Sequence, residues 1–119
     1  MINSYKELIV WQKSVDLVVE IYKLTAKLPK DELYSMTSQL RRAAVSIPSN
    51  IAEGNQRHTT KEYIKFLAIA RGSNAELQTQ LIICQRINYF NAKDVEHCTM
   101  LSDEISKMLN AMIDKLNNP

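Results

Sequence analysis

One hundred and nineteen residues with 45% hydrophobic content suffice for one domain with a true core, and only 2 Gly and 3 Pro among strong helix formers point to an all-α chain. No apolar run approaches the roughly 18 residues of a membrane span, so no membrane span is expected, and a net charge of +2 implies little about partners by itself. Cys84 and Cys98 lack a CxxC spacing; they read as buried thiols of a reducing, cytoplasmic compartment, not as a secreted disulfide framework.

The spacing predicts four helices in one domain, residues 1–119. The first should run from about Tyr5 to Lys27, with Leu8, Trp11, Val15, Val18, Tyr22 and Thr25 inward and Val10, Leu17, Ile21, Leu24 and Leu28 as a second apolar edge. Pro29 to Tyr34 form the first connection. The second helix begins near Ser35, a plausible N-cap, and runs to about Asn55, with a kink or local unwinding expected at residues 44–48 because Pro48 lies inside it. Gly54 to His58 read as the next break. Thr59 with Glu62 reads as a capping box for the third helix, which reaches about Asn88 with Tyr63, Phe66, Leu67, Ala70, Leu77, Leu81 and Cys84 inward. Asn91 and Asp94 open the fourth, whose stripe is Val95, Cys98, Leu101, Ile105, Met108, Met112 and Leu116. Short joints favour antiparallel neighbours, so the expected fold is an up-down-up-down four-helix bundle with a proline-kinked second helix.

The second helix carries one band of polar residues, Gln39, Arg42, Ser46, Asn50 and Glu53, at spacings of three and four. Its remaining arc, Thr37, Ser38, Arg41, Val45, Ser49 and Ala52, holds a single charge, so the helix is expected to be covered on more than one side, with that arc as a subunit contact. The polar band needs partners, because unpaired buried charge costs several kcal/mol. Arg71, Ser73, Asn74 and Glu76 on the third helix supply them, with Glu53–Arg71 and Arg42–Glu76 as the expected pairs, either between the two helices or across a subunit boundary. The structural role expected for this network is to fix helix register. Catalysis by Glu53, Asn50 or Ser46 is disfavoured, since no nucleophile with an adjacent base can be placed beside them. His58 and His97 have no second His or Cys at i+4, so neither a metal site nor a cofactor is expected.

All five arginines fall between residues 37 and 90, where five Arg and two Lys face three acids. Arg57, His58, Lys61 and Lys65 cluster where the third helix begins and free amides already favour an anion. With Arg41, and Arg86 as a further contributor, they would make one face basic. Arg41, Arg57, Lys61 and Lys65 are therefore the candidate phosphate contacts; the plain alternative is a solvated charge cluster.

At QLRRAAVSIPSNIAEG, residues 39–54, and at FLAIARGSNAELQTQL, residues 66–81, the chain resembles the four-helix-bundle family of the 23S rRNA intervening-sequence protein. The opening YKELIVWQKSVDLVVEIYKLT and the linker LPKDELY look like the same family. Matched positions include Gln39, Arg42, Ser46, Pro48, Asn50, Ile51, Glu53, Gly54, Arg71, Gly72, Ser73 and Glu76. The resemblance implies an antiparallel bundle of bacterial type and a homo-oligomer, as a pentamer, without catalytic residues. Related accessory proteins of diversity-generating retroelements bind nucleic acid together with a reverse transcriptase. The expectation is a non-enzymatic, homo-oligomeric module for RNA or DNA; the alternative is a structural scaffold that binds a protein, such as a reverse transcriptase. No membrane role is expected.

Overall fold

Leu8 decides where the first helix begins. In the computed structural model, which describes residues 4–119, Tyr5–Glu7 form a 3-10 turn capped by the Ser4 hydroxyl, which accepts from the Lys6 amide at 3.1 Å. Leu8 is then extended (φ −71°, ψ 126°), and helix α1 runs Ile9–Thr25. The expected continuous helix from Tyr5 is thus broken, and the break has a packing reason. Residues six apart on an unbroken helix point apart, whereas the bend brings the Tyr5 ring edge-on to Trp11 at 5.4 Å.

Of the two apolar edges expected to bury the first helix, the second is buried throughout and the first only in part. Val10, Leu17, Ile21, Leu24 and Leu28 are buried, whereas Trp11, Val15 and Val18 are half-buried and Tyr22 is exposed. Both stripes are apolar, and the one that follows 3.6-residue periodicity more closely becomes core. Ser14 and Thr25 are tolerated there because their hydroxyls donate back to the Val10 and Ile21 carbonyls at 2.6 and 2.7 Å.

Helix α2 spans Met36–Asn55 without interruption, so the unwinding expected over residues 44–48 does not occur and buried Pro48 sits inside the helix. Ser35 precedes it without a side-chain cap. Gly54, expected to break the chain, is the buried penultimate residue of α2. A Cβ there would lie 2.8 Å from Phe66 Cβ and 3.2 Å from the Tyr63 carbonyl oxygen, so glycine is what lets α2 and α3 close at this end.

Helix α3 spans Thr60–Arg86, with Thr59 Oγ1 accepting from the Glu62 amide at 3.1 Å; the reciprocal half of the expected box is not formed. It ends two residues before the expected Asn88, which instead adopts a left-handed conformation (φ 65°). The Tyr89 amide bonds the Cys84 carbonyl at 2.8 Å and the Asn88 amide bonds that of Gln85 at 3.1 Å, the two bonds of a Schellman stop. Asparagine tolerates this conformation less well than glycine. Asn88→Gly is therefore expected to raise stability by about 0.5–1 kcal/mol, read as a higher denaturant midpoint at unchanged slope; a lower midpoint would contradict it. Helix α4 spans Ala92–Asn117 behind the full expected capping box of Asn91 and Asp94, with bonds of 2.8 and 3.0 Å. Its buried stripe drifts from the expected one toward Ser102, Leu109 and Ile113, leaving Met108, Met112 and Leu116 half-buried.

The four helices form an antiparallel up-down-up-down bundle measuring 45 × 23 × 20 Å, the long axis matching helices of 26–27 residues. Helices adjacent in sequence pack on one another around the ring, and α4 closes back on α1. Lys13–Glu104 and Glu20–His97 bridge that last pair. The α1–α2 and α3–α4 joints share one pole; the α2–α3 joint lies at the other. Between α3 and α4 the core holds one polar pair: buried Asn74 donates to the Ser102 carbonyl at 2.9 Å and accepts from its hydroxyl at 2.7 Å. Asn74, expected to serve the polar band of the second helix, turns instead to α4, because the spacing Leu67, Ala70, Asn74, Leu77, Leu81 places it in the core stripe.

Candidate functional site

The polar band of α2 lies along the seam with α3, and only its middle forms the expected bridge. Ser46 and Ser73 share a hydrogen bond of 2.8 Å, and the Asn50 amide donates to the Ser46 carbonyl and hydroxyl at 2.8 and 3.0 Å. Small hydroxyl side chains let the two backbones approach there. Both expected ion pairs are absent within the chain. Glu53 binds Arg57 at 2.8 Å, one turn along its own strand of sequence, and Arg71 reaches α4 to donate to Asn110 at 3.1 Å. The i+4 spacing of Glu53 and Arg57 is the sequence signal that favours the local pair over the distant one. Arg42 and Glu76 share a groove of about 570 Å³ with Gln39, Thr79, Gln80 and Ile83, but form no ion pair with each other. Gln39, Arg42, Glu53, Arg71 and Glu76 are all exposed, so the expected register lock reduces to Ser46, Asn50 and Ser73.

The candidate phosphate contacts do not form one face. Arg41 belongs to the pole of the α1–α2 joint, twelve helical residues, or roughly 18 Å, from Glu53. Its Nε donates to Thr25 Oγ1 at 2.9 Å and its guanidinium lies over the Tyr22 ring at 4.4 Å. It lines a groove of about 470 Å³ with Tyr22, Leu33, Tyr34 and Arg42. Arg86, near the end of α3, belongs to this same pole.

Arg57, Lys61 and Lys65 gather at the opposite pole. The Arg57 guanidinium is held by Glu53 and by the Phe66 ring 4.7 Å away. Lys61 and Lys65, one turn apart at the start of α3, are exposed and form no ion pair among the described residues. The arrangement presents two free ammonium groups beside a helix N-terminus, able to neutralise adjacent phosphates.

Burial pushes the Cys98 thiol up to about 11, with Glu20 adding to the shift, and burial followed by Glu32 also raises Cys84, so both stay protonated at neutral pH. The Tyr89 hydroxyl donates to Glu32 at 2.8 Å, and that bond foremost, with desolvation behind it, raises its pKa. Among the described residues no three His, Cys, Asp or Glu side chains cluster as a metal site, and no helix is long and apolar enough to cross a membrane.

A solved structure from Bacteroides thetaiotaomicron, described as a protein with unknown function from the S23 ribosomal protein family, superposes with a TM-score of 0.82 at 29% identity, covering 88% of this chain and 98% of that one. No functionally curated protein matches. The family described as 23S rRNA-intervening sequence protein matches over residues 6–111, which takes in α1 to α3, most of α4 and both quoted motifs. Family match, bundle topology and structural likeness agree, and the chain belongs to the 23S rRNA-intervening sequence protein family.

Proposed function

We propose that this chain is a non-enzymatic accessory module that assembles with copies of itself, in the pentameric ring its family resemblance implies, and binds RNA or DNA at the α2–α3 pole. The observation that carries the reading is the pair Lys61 and Lys65, exposed and in no ion pair beside the α3 N-terminus, with Glu62 between them in the first turn and Arg57 fixed alongside. One such patch per chain is weak; repetition around an assembly multiplies the phosphate contacts made together.

The test is anisotropy titration of mixed-sequence RNA and DNA at two salt concentrations. The expected result is salt-dependent affinity, with Lys61→Ala plus Lys65→Ala reducing the slope of log K against log salt by roughly 1.4–1.8 for two lost phosphate contacts. Binding that is undetectable at low salt removes the nucleic-acid reading. The second reading, a scaffold that recruits a protein such as a reverse transcriptase, is favoured by one observation: Arg41 and Arg57 are already engaged by Thr25, Tyr22, Glu53 and Phe66.

A further inference from the structure

We infer that a second copy of this chain covers the outer face of the α2–α3 pair, crossing α3 at Gly72; this rests on the self-association proposed above and assigns it a surface. Gly72 lies in the middle of α3 with helical backbone angles, where glycine is the least favourable residue after proline. Nothing inside the chain requires it. A Cβ built at Gly72 meets no atom within 4 Å, the opposite of Gly54, whose Cβ would collide with α3. A glycine that neither turns the chain nor admits a neighbour from its own fold fits the close approach of a backbone from outside.

Three further observations converge on the same face. Ile69 and Ile83, three before and eleven after Gly72 on the same arc of α3, are 41% and 42% exposed. Gln80 is only 7% exposed, yet its Oε1 has no hydrogen-bond partner, and it lines the groove with Arg42 and Glu76. A buried acceptor without a donor is costly, and an incoming side chain can supply the donor. Arg42 and Glu76 also lack ion-pair partners within the chain. The face therefore offers an unpaired cation, an unpaired carboxylate, an orphan acceptor and exposed isoleucines together. The carboxylate and the apolar residues oppose a polyanion. A copy of the chain carries the complementary charge for both unpaired groups.

Light scattering on the full chain from micromolar to millimolar concentration tests this. The expected wild-type mass is a multiple of 13.7 kDa. Gly72→Arg should fall to 13.7 kDa with its helical circular dichroism retained, since the added side chain meets nothing in its own fold. Gln80→Met supplies a second variant with opposed effects. It should raise the melting temperature of the dilute monomer by removing the orphan oxygen, yet weaken association at least about tenfold by removing the acceptor. A wild type that stays at 13.7 kDa throughout overturns both this surface and the self-association reading. A wild-type oligomer that both variants leave intact overturns this surface alone.

Discussion

Replacing Gly54 with alanine is expected to lower the stability of the bundle by about 1–2 kcal/mol, although the same change in an open helix raises it. Alanine gains about 1 kcal/mol of helix propensity over glycine. Against that stands a Cβ placed 2.8 Å from Phe66 Cβ and 3.0 Å from Tyr63 Cδ1, with the Tyr63 carbonyl at 3.2 Å. Phe66 Cβ and a backbone oxygen cannot swing aside as the tip of a flexible side chain can; α3 itself must move, and overpacking of this kind costs about 1–3 kcal/mol, with the upper part of that range expected here. Urea unfolding should show a lower midpoint with unchanged slope. Gly72→Ala is the control: with no neighbour to strike, it should stabilise the monomer by about 1 kcal/mol. Equal gains at both positions would show that α2 and α3 do not close on Gly54.

Asn74→Ala is expected to cost about 2–4 kcal/mol. Asn74 is 1% exposed and Ser102 is fully buried, and the two exchange bonds of 2.9 and 2.7 Å across the α3–α4 contact. Truncation removes both bonds, leaves the Ser102 hydroxyl to find another acceptor, and opens a cavity. Ser102→Ala should cost less, about 1–2 kcal/mol, because the bond from Asn74 to the Ser102 carbonyl survives it. A double-mutant cycle should give a coupling of at least about 0.5 kcal/mol; strict additivity would mean the two side chains act independently.

The sequence made some of these features easy to read and hid others, for physical reasons. Helix number, the Asn91 capping box and the Thr59 cap depend on short-range chemistry, and they emerge where expected. The core face of α1 depends on which of two apolar stripes meets its neighbours, and residue types alone leave that choice open. Gly54 illustrates the same difficulty. A glycine near the end of a helix reads as a stop, but here its job is set by Phe66, twelve residues on. The candidate site was legible as composition and not as geometry. Lys61 and Lys65 are exposed together, yet Arg41 sits at the far pole, and the Glu53 carboxylate chose the arginine four residues away over Arg71.

The bond from Tyr89 to Glu32 joins the α3–α4 joint to the α1–α2 joint across 57 positions of sequence. The two helical hairpins are thus connected twice, covalently through residues 56–59 at one pole and by this side-chain clasp at the other. Helix α1 begins, and neighbouring α4 ends, at the covalently joined pole. The architecture is consequently close to cyclic: linking residues 4 and 117 and reopening the chain at His58 would keep every helix in place and merely change which joint is made of peptide bonds.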